Sequence, residues 1–199
     1  DLGSGAGNDC FVARHETGET GKVIGIDFTP AMIEKARQNA EMRGFNNVEF
    51  RQGDIEKMPI TSQVADVVVS NCVLNLVPNK YGVFQEISRV LKPGGHFSIS
   101  DVVLIGALPE GLRKDAEMYA GCVSGAIQKD VYVELIHATG FVNIQIQKEK
   151  PIVIPDDILN RYLSAEELHN FKSGDTGIFS ITVYAEKPGN TCVPGAGCC

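Results

Sequence analysis

The sequence predicts an α/β protein with a Rossmann-like, doubly wound, mostly parallel sheet and an antiparallel edge strand. Three observations lead there. Strand-like and helix-like segments alternate along the chain, which is the pattern of a sheet wound on both faces. The run Asp1-Leu2-Gly3-Ser4-Gly5-Ala6-Gly7 opens a helical segment, so glycines stand where a strand hands over to a helix. The carboxylate of Asp27 then falls at the end of the next strand.

Each element follows from local pattern. Residues 22–27 (KVIGID) read as a buried strand. Residues 30–43 read as a helix, with Thr29 as N-cap, Pro30 at the first helical position and Gly44 as the stop. Residues 48–52 form a short alternating strand. The run ADVVVSN at 65–71 is continuous enough for a strand covered on both faces. Residues 81–91 are amphipathic and end at Pro93-Gly94-Gly95; residues 96–103 return as a buried strand. A helix is expected over 130–139, stopped by Gly140, and alternating strands over 142–148 and 178–186. The last two strands lack a clear crossover helix between them, hence the antiparallel edge. Two insertions, 108–129 and 155–176, lie beyond strand ends, where such folds build substrate sites. One domain is expected over 1–188, followed by a mobile Gly-, Pro- and Cys-rich tail over 189–199. Asp1 stands where a strand should end. An N-terminal extension carrying that first strand is therefore expected, and without it the segment is expected to fold poorly.

Composition narrows the function classes. The chain has 199 residues, 43% hydrophobic and 22% charged, ordinary for a globular domain. A net charge of -7 disfavours nucleic acid or an anionic membrane surface as the main partner. No apolar run is long enough to span a bilayer and no signal peptide is visible. Cysteines stand at 10, 72, 122, 192, 198 and 199, but a chain of this size and pattern needs no disulfide staples, so a reducing, cytoplasmic location is expected. The sequence does not define the oligomeric state.

The glycine loop suits a nucleoside ligand. Its glycines permit close backbone approach, and a carboxylate at Asp27 can accept hydrogen bonds from ribose hydroxyls. The spacing is G-x-G-x-G rather than the dinucleotide G-x-G-x-x-G, which disfavours an NAD-linked oxidoreductase. Three further motifs follow in order: Asp27-Phe28-Thr29-Pro30-Ala31-Met32, Gly53-Asp54-Ile55, and Arg89-Val90-Leu91-Lys92-Pro93-Gly94-Gly95. Together, over residues 1 to about 103, they resemble the motifs of class I methyltransferases, which use S-adenosylmethionine. That resemblance implies a cofactor site made by Asp1, Gly3, Ser4, Gly5, Asp27, Phe28, Met32, Asp54, Ile55 and Asn71. Asp27 would bind ribose, Asp54 would face the adenine amino group, and Ile55 or Met32 would pack on the adenine ring. Plain core packing is the alternative for the last two.

The acceptor is read from the thiols. His15, His96, His137 and His169 fall where structural or surface roles are expected, so no general base stands out. Cys10 lies three residues past Gly7, on the first turn of the loop's helix, where a helix N-terminus is expected to lower a thiol's pKa. The alternative for Cys10 is a small buried apolar side chain. Cys122 lies in the insertion over the same strand ends, and two converging thiolates would suit a soft ion. The segments Asp1 to Cys10, Ser70-Asn71-Cys72-Val73-Leu74-Asn75-Leu76-Val77-Pro78, Gly121-Cys122-Val123-Ser124-Gly125-Ala126 and the tail Cys192 to Cys199 resemble arsenite methyltransferases. This implies Cys10 and Cys122 as As(III) thiolate ligands, with Cys72 packing beside the cofactor. A further cysteine that the family often carries is absent from 155–176. A third thiol would then come from glutathione, another small thiol or the tail. Cys198-Cys199 would either capture arsenic and pass it inward or stand as an exposed pair. The implied substrate is arsenite or its thiol conjugates, with glutathione or thioredoxin as reductant, in arsenic detoxification. Two rivals remain at this point: a methyltransferase of a small organic acceptor such as a quinone, and a non-catalytic thiol-rich binder of soft metals.

Overall fold

A computed structural model describes residues 1–119, 123, 125–173 and 176–189. The elements run α1 (Asn8–Thr17), β1 (Val23–Asp27), α2 (Pro30–Met42), β2 (Val48–Gln52), β3 (Ala65–Asn71), a 3-10 turn (Leu74–Leu76), α3 (Lys80–Val90) and β4 (Leu91–Ile105). There follow α4 (Glu110–Tyr119), α5 (Lys129–Ala138), β5 (Val142–Pro151), α6 (Asp156–Tyr162), α7 (Ala165–Ser173) and β6 (Gly177–Glu186).

β1 pairs parallel with β2, from Val23 opposite Val48 to Asp27 opposite Gln52. β3 pairs parallel with β4, and β6 lies antiparallel between β4 and β5. The antiparallel strand thus enters one place inside the edge, and β5 forms the edge itself. Residues 1–4 join the two groups of strands. Leu2 bridges Ile26 on one side and Ser70 on the other, both in parallel sense. Its N–H donates to Val69 at 2.9 Å, and the Asp1 carbonyl accepts from the Ile26 N–H at 2.9 Å. The glycine loop therefore leaves the sheet at its middle, at the carboxyl ends of β1 and β3. That is the point in such sheets where ligands bind.

Helix packing follows the residue pattern. α2 starts at Pro30, whose missing N–H costs nothing there, and turns Ile33, Ala36 and Ala40 inward. These residues pack with Val23, Phe50 and Cys10. α3 has the stronger apolar stripe: Val83, Phe84, Ile87 and Val90 meet β4, where Phe97 and Ile99 are fully buried. Phe84 meets the Tyr132 ring of α5 edge-on at 5.6 Å. The 155–176 insertion supplies α6 and α7, and Leu159 seals a separate apolar cluster with Val102, Leu104, Leu112, Val123, Ala126 and Ile178. β3 is less covered than its apolar run suggests, for Val67 is 47% exposed. β4 begins at Leu91 and runs through Pro93-Gly94-Gly95, with a register shift where it meets Ala65 and Val67 of β3. No helix among the described residues is long and apolar enough to cross a membrane.

Candidate functional site

The glycine loop turns by left-handed backbone at Gly3, Gly5 and Gly7, with φ of 67°, 50° and 94°. Gly3 is constrained twice. Its conformation favours glycine, and a Cβ there would stand 2.3 Å from a methyl of Val73. Gly7 caps α1 and leaves the helix's first amides near the loop. Asp27 holds the loop in place: its carboxylate accepts from the Gly5 N–H at 2.9 Å and the Thr29 N–H at 2.8 Å.

A cavity of about 420 Å³ opens beside this loop, within the range of small-molecule sites. It is lined by Gly3 and Asp27, by Gly53, Asp54 and Ile55, and by a wall of Val73, Leu76 and Val77 that meets the loop where Val73 packs on Gly3. Phe28 also lines it and is 76% exposed. The Asp54 carboxylate braces its own turn by accepting from the Glu56 N–H at 2.8 Å. A carboxylate and glycine backbone at one end, with apolar walls beyond, fit a nucleoside. The Ser4 hydroxyl is buried beside Gly3 and Gly5 and makes no hydrogen bond in the structure, and neither Ser4 nor Gly5 is among the residues lining the cavity.

The structure brings Gly3, Asp27, Phe28, Asp54 and Ile55 to this cavity. It does not place Met32 among the lining residues; Met32 is 40% exposed on α2. Asn71 ends β3 and is exposed, and Asp1 is directed toward Cys10. The wall residues Val73, Leu76 and Val77, together with Thr29 and Gly53, had no assigned cofactor contact in the sequence. Val73, Leu76 and Val77 belong to a quoted motif, but their apolar character reads equally well as core. Cys72 adopts a left-handed backbone at φ 57°, which turns the chain out of β3 into this wall.

Cys10 corrects an expectation. Its thiol is fully buried among Val23, Ile33 and Phe50, and a Cβ on Gly25 would lie 2.8 Å from its Sγ. The thiol donates to the Asp1 carboxylate at 3.3 Å. Burial pushes its pKa up to about 11 instead of down. The reason is direction: Cys10 sits on the first helical turn but faces the sheet, so desolvation of a thiolate outweighs the helix terminus. It is not among the residues lining the cavity.

Cys122, Cys192, Cys198 and Cys199 lie outside the described residues. Their neighbours are informative. Val123 and Ala126 are buried in the cluster on which Cys72 packs. Gly125 touches the cavity wall so closely that a Cβ on it would stand 1.8 Å from the Asn75 carbonyl oxygen. Among the described residues no group of three or more His, Cys, Asp or Glu side chains is arranged to hold a metal ion. His96 stacks on Tyr184 at 5.1 Å, away from the cavity.

Residues 1–140 match the family model described as a methyltransferase domain. The chain belongs to that family, and its fold is that of class I methyltransferases. Its relatives are more particular. It is 41% identical over 190 residues to the arsenite methyltransferase of Halobacterium salinarum, covering 94% of this chain and 46% of that protein. It is 38% identical over 189 residues to that of Aquipseudomonas alcaligenes, covering 92% and 52%. The crystal structure of an arsenic(III) S-adenosylmethionine methyltransferase from Chlamydomonas reinhardtii superposes with a TM-score of 0.76 at 33% identity, covering 94% of this chain and 62% of that one. The chain thus spans about half the length of the curated relatives it matches.

Proposed function

We propose that the protein transfers the methyl group of S-adenosylmethionine to thiol-bound As(III). The carrying observation is the union of two surfaces at one cavity. The loop, Asp27 and Gly53-Asp54-Ile55 are read as its nucleoside side; Gly125, three residues beyond Cys122 in sequence, lies against Asn75 in the turn that carries Val73, Leu76 and Val77 of the lining. The similarity to arsenite methyltransferases over nearly the whole chain supports the choice of acceptor.

S-adenosylmethionine, when bound, supplies an electrophilic methyl group on a sulfonium sulfur. Asp27 would hold the ribose while bracing the loop through Gly5. Asp54 would face the adenine amino group, and Ile55 and Phe28 would cover its ring. The acceptor would be arsenite or its thiol conjugate, held by cysteine thiolates that keep As(III) electron-rich. The protein's contribution is positioning. An arsenic lone pair needs no deprotonation, and the described lining of the cavity includes no histidine.

Cys122 and Cys10 are the proposed ligands, with Cys198 and Cys199 as a capture pair. Burial sets a condition on Cys10: the first turn of α1 must move from β1 before its thiol can meet arsenic. Glutathione or thioredoxin is the proposed reductant, and a cytoplasmic location suits reduced thiols. The test is methylation of arsenite by Cys122→Ser and Cys10→Ser variants alongside S-adenosylmethionine binding. Loss of methylation with binding retained is expected in each. Full activity in both variants would refute the thiolate assignment.

A further inference from the structure

A set of buried polar groups lies behind the cavity wall and takes no part in the chemistry above. Asp101 on β4 is wholly buried, as is Tyr132 of α5, and Lys80 at the start of α3 is only 7% exposed. The Tyr132 hydroxyl donates to one Asp101 oxygen at 3.3 Å, and the Val102 N–H donates to the other at 3.0 Å. The Val102 carbonyl in turn accepts from the Asn75 side-chain amide at 2.7 Å. Asn75 sits between Val73 and Val77 of the wall. At the far end of that wall, the Lys80 ammonium donates to the Val77 carbonyl at 3.5 Å. The wall is therefore fastened at its middle through Asp101–Val102–Asn75 and at its end through Lys80.

Such an arrangement needs a reason, because buried charges are costly and apolar residues of similar volume would pack β4 on α3 and α5 as well. Asp101 and Lys80 attract one another across this core: the carboxylate favours the ammonium, and the ammonium favours the carboxylate. If the carboxylate is neutralised, Lys80 keeps a desolvated charge without compensation. Moving toward water then becomes its cheaper state, and the Val77 carbonyl loses its partner.

We propose that Asp101, with Lys80 as its buried counter-charge, is a positioning residue for methyl-donor binding, fixing the 73–77 wall against which the donor rests. This rests on reading the cavity as the donor site. The groups that face Asp101 are Lys80 from α3, Tyr132 from α5 and the Val102 N–H of its own strand; Cys72, at the end of β3, faces Tyr132. Burial raises the Asp101 carboxyl to about 6, so this anchor changes state just below neutral pH.

Two measurements on the full chain test it. The first is S-adenosylhomocysteine binding by calorimetry from about pH 7.5 to about pH 5. Affinity should fall about fivefold by pH 5, the change given by a one-unit difference in proton affinity between free and bound protein. Asp101→Asn should remove this dependence, and Lys80→Met provides a second variant that should flatten it. The second is amide hydrogen exchange over 73–77 in the unaltered protein, corrected for intrinsic rates. Protection there should fall over the same interval while global stability does not, a divergence that a merely structural carboxylate would not produce. The same pH profile in Asp101→Asn, or pH-independent protection of 73–77, would overturn the proposal. Absent S-adenosylhomocysteine binding with the exchange profile intact would refute the donor-site reading and uphold the anchor.

Discussion

Cys10 should be among the least reactive thiols in the folded protein, although its place on a helix's first turn suggests the reverse. With a pKa of about 11, its thiolate fraction at neutral pH is on the order of 10⁻⁴. An ordinary thiol near 8.5 has a fraction of a few per cent, so ionisation alone slows alkylation by about 300-fold. Complete burial adds a steric barrier, because iodoacetamide must reach a sulfur enclosed by Gly25, Ile33 and Phe50. The comparison is internal: Cys72 is half-buried in the same chain. Alkylation at neutral pH, read by peptide mass spectrometry, should label Cys72 well before Cys10. Mild denaturant should release Cys10 as α1 leaves the sheet. Labelling of Cys10 at a rate equal to that of Cys72 under native conditions would refute the burial argument. It would also show that the first turn of α1 opens readily enough for arsenic to enter.

Three other outcomes follow from the geometry. Asp101 binds its proton more tightly folded than unfolded, so its favourable contribution is fully present below about pH 3.8 and is lost as pH rises through about 6. The denaturation free energy of the unaltered protein relative to Asp101→Asn should therefore fall by about 1.5 kcal/mol between pH 5 and pH 7.5, and a pH-independent difference would contradict the burial effect. Gly125→Ala should cost about 2–3 kcal/mol in urea unfolding, because its Cβ would press on the Asn75 carbonyl; a neutral effect would mean that this contact is absent. Phe28→Ala should leave stability within about 0.5 kcal/mol, since the ring is exposed, yet weaken S-adenosylmethionine binding about tenfold by calorimetry; unchanged affinity would remove Phe28 from the site.

The sheet and the glycine-loop side of the cavity are legible in the sequence because they depend on local chemistry. Glycines mark the loop, an acid after a strand marks Asp27, and apolar runs mark β1, β3 and β4. What escaped depends on direction and order in space. Spacing puts Cys10 on the first turn of α1 but does not say that this turn faces β1, and that reverses the sign of its pKa shift. Nothing local orders β6 between β4 and β5, since antiparallel pairing over a long loop leaves no turn signature. The wall at 73–77 reads as core because its apolar residues carry no polar mark. Asp101, Lys80 and Tyr132 lie on three separate elements, and only packing makes them neighbours.

The central claim is that arsenic is the methyl acceptor, and the direct measurement is transfer from S-adenosylmethionine carrying a labelled methyl group in the presence of arsenite and glutathione. The account predicts label in methylated arsenic species, with an equal amount of S-adenosylhomocysteine formed only when arsenite is present. Tight binding of both S-adenosylmethionine and arsenite with no labelled arsenic product would contradict it.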